Sequence, residues 1–249
     1  MANITLVAEQ SRNRANFTCN APIVVNANNL ETNLANAAAS GKWYFYNDTT
    51  DVLDNTLGGF VAGPTTPFYG SGSAVANPLA GATSRTVLAN SQFGGTPLAS
   101  ITQWSFGEYT PSGAWSATEA PFMRFNVDFA GSPAYQNSLV YVPSVNGSVV
   151  QNSWQQWDLI SGGTAKWSYS GANWPAATAG PDFGGPVTPG TTARTWNAIL
   201  ADYPSIRMHP SFPFVGMRVG EPGPTGLTAN LDFFTINTGS GTKIFNFGN

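Results

Sequence analysis

The chain contains few ionisable side chains. Ten Lys and Arg and thirteen Asp and Glu make up 9% of its 249 residues, whereas about 25% is usual. The net charge of −3 is too small to attract a polyanion, and only Arg12 and Arg14 are basic residues that lie close together in sequence. A nucleic-acid partner is therefore excluded. Asn, Ser, Thr, Gly and Gln must provide most of the wet surface, which salt should affect little.

Cysteine and histidine each occur once, as Cys19 and His209. A single cysteine excludes an intrachain disulfide and a cysteine-cluster metal site. A Ser-His-Asp triad would have to use His209, which lies in the loop-like sequence Met-His-Pro-Ser-Phe-Pro, and the chain has no Gly-x-Ser-x-Gly motif. These absences argue against zinc chemistry and serine-hydrolase chemistry.

Long apolar segments are also missing. No run approaches the roughly 20 residues that a membrane helix needs, so no membrane partner is expected. Residues 1–10 lack the basic segment and the following apolar segment of a signal peptide. The low-charge surface nevertheless suits a protein that works outside a cell or on a particle. We therefore expect a location on a virion or an extracellular surface.

Short alternating apolar runs, separated by turn residues, predict an all-β fold: an antiparallel, jelly-roll-like β-sandwich. The chain is long enough for one well-formed core, and we assign residues 21–249 to the sandwich. Residues 1–20 are interpreted as an N-terminal arm, with Ile4, Leu6, Arg12 and Arg14 as its assembly residues; an ordinary first strand is the alternative. Strands are predicted at residues 23–25, 42–47, 59–62, 72–76, 85–89, 101–109, 122–129, 139–142, 154–159, 165–169, 215–219, 231–237 and 243–247.

Residues 195–203 are the one predicted helix. Apolar residues recur at i, i+3, i+4 and i+7 from Trp196, Thr195 can cap the start, and Pro204 ends the helix. We expect it to close an edge of the sandwich.

Two strands illustrate how faces are assigned from the sequence. Met123, Phe125 and Val127 alternate with polar residues, which places them in the core between two sheets. At residues 231–236, the same alternation would put Asp232 on one face with the apolar Phe234. That strand is therefore predicted to carry a charge toward an interior edge or rim.

Asp48, Asp51 and Asp54 lie in one acidic loop between predicted strands. Their carboxylates are the hard oxygen ligands that Ca²⁺ prefers, although the loop lacks the alternate-residue spacing and the glycine of an EF-hand. Ca²⁺ is therefore the one cofactor that the sequence suggests, and a solvated acidic turn is the alternative.

Four further carboxylates fall within predicted strands: Glu108, Asp128, Asp158 and Asp232. Two of them facing one cleft could hydrolyse a glycosidic bond if they were about 5 Å or about 6.5–9.5 Å apart. The alternative is ordinary ion pairing across strands with Arg124 and Arg218.

Aromatic residues supply many flat rings on which a sugar could stack. Trp174, in a long Gly- and Pro-rich loop, is the main candidate, with Trp157 and Tyr169 as its companions. Trp154 and Trp157 are three residues apart, so on a regular strand they face opposite sides and at most one lies outside. The alternative is that these rings belong to the core.

Several sequence blocks, taken together, resemble a known group of domains. They occupy residues 60–64, 70–75, 95–101, 154–158, 216–220 and 241–247. The chain resembles jelly-roll-like β-sandwich domains of bacterial exported and surface proteins, which are similar to carbohydrate-binding modules and mostly have no assigned activity. The resemblance implies such a sandwich and supplies no catalytic motif. We expect the chain to depart from the group by having no export leader and by adding residues 1–20.

These observations favour a non-enzymatic structural subunit on the exterior of an assembly. Its most concrete form is a phage capsid decoration or cement protein, whose arm adds a strand or latch to a neighbouring subunit. A homo-oligomer, for example a trimer, would be expected. The alternatives are a secreted carbohydrate-binding or adhesion domain and a glycan-active enzyme that uses paired carboxylates.

Overall fold

The computed structural model describes residues 21–77, 85–113, 116–129, 131–170, 193–220 and 228–248. In this part of the chain, two large sheets pack face to face around one main core. The predicted all-β sandwich is therefore confirmed. The predicted arm, residues 1–20, lies outside the described residues. No helix that the structure describes is long and apolar enough to cross a membrane.

The strands follow the sequence pattern closely, and three two-residue strands, at Val52–Leu53, Arg194–Thr195 and Arg207–Met208, were not predicted. The strands described are β1 (Ile23–Val25), β2 (Trp43–Asn47), β3 (Val52–Leu53), β4 (Gly58–Ala62), β5 (Gly72–Ala76), β6 (Arg85–Asn90), β7 (Gln103–Tyr109), β8 (Phe122–Asp128), β9 (Ser138–Tyr141), β10 (Trp154–Asp158), β11 (Lys166–Ser170), β12 (Arg194–Thr195), β13 (Arg207–Met208), β14 (Val215–Gly220), β15 (Ala229–Asn237) and β16 (Thr242–Phe247).

The long strand β15 organises the first sheet. It pairs with β7 along one side, and β7 pairs in turn with β10. Along its other side it pairs with β5 and then with β16. Strand β4 extends the sheet beyond β5, and β1 extends it beyond β16 in a parallel pairing. The second sheet has the order β12-β11-β9-β8-β14-β6-β2-β3, and β13 pairs with the end of β8.

The structure describes two four-residue helices, α1 (Ala37–Ser40) and α2 (Pro143–Asn146), and then the predicted helix, α3. Helix α3 spans Trp196–Asp202, and the side chain of Thr195 accepts a hydrogen bond from Ala198 N at 3.3 Å. The predicted cap is thus confirmed. Five 3₁₀ turns are also described: Ala27–Asn29, Leu34–Asn36, Asn55–Leu57, Leu98–Ser100 and Ser161–Gly163.

Aromatic side chains from the two sheets interlock in the core. Trp43 of β2 packs edge-on against Phe234, Phe245 and Phe247 of the opposite sheet, with ring centroids 4.8–5.3 Å apart. From the first sheet, Trp104 reaches Phe125 at 5.1 Å. Met123, Phe125 and Val127 are all fully buried, so the alternation predicted for β8 is confirmed.

A β-bulge interrupts the alternation in β15. Pairing with β7 is regular at Leu231 and again at Phe234. Only Gly107 of β7 lies opposite the two residues between them, Asp232 and Phe233. The extra residue lets Leu231 and Phe234 both remain in the core while Asp232 and Phe233 turn to the outer face of the first sheet. The prediction that Asp232 shares a face with Phe234 is therefore wrong.

Candidate functional site

The three aspartates of the predicted calcium loop have separate roles. The Asp48 carboxylate accepts hydrogen bonds from Arg124 and lies 3.4 Å from the Arg218 guanidinium. Asp54 caps the 3₁₀ turn Asn55–Leu57, and Asp51 is exposed. Among the described residues, no group of three or more His, Cys, Asp or Glu could hold a metal ion. The structure does not bring Asp48, Asp51 and Asp54 together as a calcium site.

Asp48 is the centre of a buried ion-pair network on the outer side of the second sheet. Its side chain is 5% exposed, and those of Arg124 and Arg218 are 14% and 12% exposed. The Arg124 guanidinium also donates to Ser138 Oγ at 3.0 Å and to Tyr135 Oη at 3.2 Å. Arg124 and Arg218 are thus ion-paired, but their partner is Asp48 of the acidic loop and not one of the four strand carboxylates considered from the sequence.

Two of the three rings predicted to bind glycan are part of the core. Trp157 is 7% exposed and Tyr169 is 1% exposed, and both belong to the main hydrophobic cluster. A buried ring cannot stack on a sugar, so the assignment of Trp157 and Tyr169 as a binding platform is wrong. Trp174 lies outside the described residues, as do the arm residues Ile4, Leu6, Arg12 and Arg14.

The four carboxylates considered for glycoside hydrolysis differ in their burial and in their bonding partners. Asp128 pairs with Arg207 at 2.8 Å. Asp158 is exposed and accepts hydrogen bonds from the N–H groups of Ile160 and Ser161. Glu108 and Asp232 lie on neighbouring strands. Glu108 is on the core side of the sheet, whereas Asp232 is on the outer side, where it is buried and bonded to the loop 63–71. Among the described residues, each of these four carboxylates has hydrogen-bond or ion-pair partners of its own.

Glu108 is a carboxyl group inside the core. It lies on the same side of β7 as Trp104 and Phe106 and is fully buried. Its Oε1 accepts a hydrogen bond from Trp157 Nε1 at 3.1 Å, and its Oε2 accepts one from Thr110 Oγ1 at 2.7 Å. Burial raises the pKa of Glu108 to about 7, although both hydrogen bonds act in the opposite direction. It has no access to a substrate.

His209 is also buried, and both of its ring nitrogens contact the main chain. Nδ1 accepts hydrogen bonds from the N–H groups of Ser211 and Phe212 at 3.1 Å each. Nε2 lies 2.8 Å from the carbonyl oxygen of Ala134 and donates to it, because Nδ1 is already an acceptor. The ring therefore holds two loops together, which is a structural role.

Three partly exposed rings meet on the outer face of the first sheet. Phe68 comes from the loop 63–71 between β4 and β5, Tyr109 from β7 and Trp154 from β10. The centroids of Phe68 and Trp154 are 6.2 Å apart, and those of Tyr109 and Trp154 are 5.6 Å apart. Phe68 is 43% exposed, and the other two rings are half-buried. We refer to Phe68, Tyr109 and Trp154 as the outer aromatic patch.

Phe233, which the bulge in β15 turns to the outer face, packs against this patch. Phe233 packs edge-on against Phe68 with centroids 5.3 Å apart. Both rings lie over Gly107, where a Cβ atom would come within 2.6 Å of the Phe233 ring and 3.0 Å of the Phe68 ring. A residue with a side chain at position 107 would therefore displace them.

Asp232 fastens the loop that carries Phe68. Its Oδ2 accepts a hydrogen bond from Tyr69 N at 2.9 Å, and the N–H of Phe68 also stabilises its charged form. The loop is closed at its base by a hydrogen bond from Gly63 N to Ser71 O at 3.0 Å. Burial raises the pKa of the Asp232 carboxyl to about 6. Its other oxygen, Oδ1, has no hydrogen-bond partner within the described residues.

The sequence contained one indication of the patch. Of the two tryptophans in β10, at most one was expected to lie outside, and the structure places Trp154 there instead of the predicted Trp157. Trp157 shares its face with the apolar Leu159, whereas Trp154 shares its face with Gln156 and Asp158. The polar neighbours could have identified the outer ring. Phe68 had no such indication, because it lies in a loop and its contacts depend on a bulge more than 160 residues later.

No family model, curated protein or solved structure matches this chain.

Proposed function

We propose that the protein is a non-enzymatic structural subunit on the exterior of an assembly, and most concretely a decoration or cement protein of a phage capsid. One observation carries the proposal. The segment that follows residues 1–20 is β1, which lies at the edge of the first sheet. Its apolar Ile23 and Val24 are 48% and 43% exposed. The described part of the chain therefore begins at an apolar sheet edge.

A sheet edge of this kind is suited to contact with another chain. The main-chain groups of an edge strand can pair with an added strand, and the exposed side chains then become buried in the contact. The arm itself contains the apolar run at residues 4–8. In the proposed assembly, Ile4 and Leu6 would be buried against a neighbouring subunit, and Arg12 and Arg14 would bind its carboxylates or carbonyl oxygens. Closed symmetric groups such as trimers are the expected form.

The placement of charge supports a structural role rather than catalysis. Glu108 lies in the core, Asp128 is paired, Asp158 caps a turn and Asp232 fastens a loop. Each carboxylate is thus accounted for by the local structure. A surface built mainly from amides and hydroxyls would also keep its contacts over a wide range of salt concentrations.

Deletion of residues 2–20 tests this proposal. We expect the truncated protein to unfold cooperatively at nearly the full-length denaturant midpoint, because the truncation keeps every strand that the structure describes. It should lose self-association or attachment to its native particle. The double variant Ile4→Asp, Leu6→Asp should have the same effect, whereas Arg12→Lys should not.

Two results would contradict the proposal. One is full-length behaviour of the truncated protein in sedimentation and particle-binding measurements. The other is failure of the truncated protein to fold, which would make residues 1–20 an ordinary first strand of the sandwich.

A further inference from the structure

The outer aromatic patch is separate from the hydrophobic core. Phe68, Tyr109 and Trp154 belong neither to the main buried cluster nor to the smaller cluster on the second sheet. Large rings placed outside a core in this way expose apolar surface that folding does not bury. Contiguous apolar surface that stays exposed often marks an interaction site on a protein. We therefore expect the patch to bind an external partner.

The rings are held in place by the fold. Trp154 and Tyr109 are directly opposite one another in the β10–β7 pairing. The ring of Phe68 packs against Phe233, and its loop is held by the hydrogen bond that Asp232 accepts from Tyr69 N. A binding surface that is already ordered before it meets a ligand loses little conformational entropy on binding.

The segments that form the patch are polar around the rings and carry no positive charge. Gln156 is exposed on the face of β10 that carries Trp154, and Asn230 of β15 is paired with Tyr109. The loop 63–71 and strands β7, β10 and β15 contain no Lys or Arg. A phosphate or carboxylate on a ligand would therefore find no cation in these segments, which argues against nucleotides and acidic polysaccharides.

The size of the patch favours a small ligand over a protein. An aromatic side chain buries about 150–250 Å² when fully covered, and these three rings are already partly covered. The patch thus offers less than the roughly 800 Å² per partner of a stable protein interface. It is large enough for a few sugar rings.

We infer that the outer aromatic patch is a binding site for a neutral oligosaccharide. The apolar C–H faces of pyranose rings stack on Trp154, Tyr109 and Phe68, and the amides of Gln156 and Asn230 bind the hydroxyl groups. This inference does not depend on the assembly role, since a subunit on the outside of a particle and a free protein would both present the patch to solvent.

The test measures binding of the full-length protein to neutral hexasaccharides of glucose, xylose, mannose and galactose by titration calorimetry. Trp154→Ala should weaken binding of the recognised sugar about tenfold or more, as loss of a central aromatic contact does. Trp154→Phe, which retains a ring, should give an intermediate affinity. Phe212→Ala is the matched control, because Phe212 is a similarly exposed ring, 46% exposed, on the other sheet's loops. It should leave affinity unchanged.

Trp154→Ala could lose binding because it misfolds, so a second measurement uses the wild-type protein and follows its tryptophan NMR signals. In the wild-type protein, the recognised sugar should shift the indole Nε1–H resonance of Trp154 and leave that of the buried Trp104 in place. Binding that Trp154→Ala does not weaken would overturn the inference, and so would the absence of binding to every sugar tested. A third result would also overturn the inference: the wild-type protein binds no sugar, and Trp154→Ala loses attachment to the native particle. That result would identify the patch as a protein contact.

Discussion

Replacing Glu108 by Gln should make the protein more stable at alkaline pH and leave it nearly unchanged at acid pH. The carboxyl group is fully buried and accepts hydrogen bonds from Trp157 and Thr110. A glutamine has the same shape, and its carbonyl oxygen can still accept from Trp157. Its amide can donate to the hydroxyl of Thr110. The substitution therefore removes the titration and preserves the packing.

The magnitude follows from the difference between the folded and unfolded states. The pKa of Glu108 is about 7 in the folded protein, against an ordinary value of 4.5. A raised pKa contributes stability that is fully present below pH 4.5 and is lost as the pH rises through 7. Since one pKa unit corresponds to about 1.4 kcal/mol, the loss is about 3 kcal/mol.

Urea unfolding of wild type and Glu108→Gln between pH 4.5 and 8.5 measures this effect. The difference in unfolding free energy should rise from near zero to about 3 kcal/mol in favour of the variant. Asp232 also titrates in this range but is present in both proteins, so its contribution cancels. Asp158→Asn makes the same chemical change at an exposed carboxyl and should follow the wild-type profile. A difference that is constant with pH would show that Glu108 does not titrate with a raised pKa in the folded protein.

Three other substitutions have expected effects on stability, each measured by urea unfolding at pH 7. Gly107→Ala should destabilise by about 1–3 kcal/mol, because the new methyl group overlaps the Phe233 ring; an unchanged midpoint would contradict this. Asp48→Asn should destabilise by about 3 kcal/mol by leaving two buried arginines without their carboxylate, whereas the exposed control Asp51→Asn should be nearly neutral. Thr195→Ala should destabilise by about 1 kcal/mol through loss of the helix cap, and equal stability would rule out that role.

Local patterns in the sequence predicted most of the fold. The alternation of β8 placed Met123, Phe125 and Val127 in the core, and the spacing of apolar residues located α3 with its cap at Thr195. Both succeeded because side-chain direction in a regular strand or helix depends only on the period of the backbone. The prediction for Asp232 failed because a bulge adds a residue to β15, and nothing near residue 232 in the sequence marks it.

The candidate site was harder to predict because it depends on contacts between distant segments. Asp48 looked like a calcium ligand in its loop, but its partners Arg124 and Arg218 are 76 and 170 residues away along the chain. The outer aromatic patch combines Phe68 with rings from β7 and β10 that are 41 and 86 residues further on. The sequence showed that at most one tryptophan of β10 lies outside, and only the structure shows that it is Trp154 and which rings accompany it.

Imaging of the intact protein in its native source by electron cryomicroscopy tests the proposed function most directly. We expect the sandwich to lie on the outside of a shell or fibre, with residues 1–20 in contact with a neighbouring subunit. A free monomer whose residues 1–20 contact no other chain would contradict it.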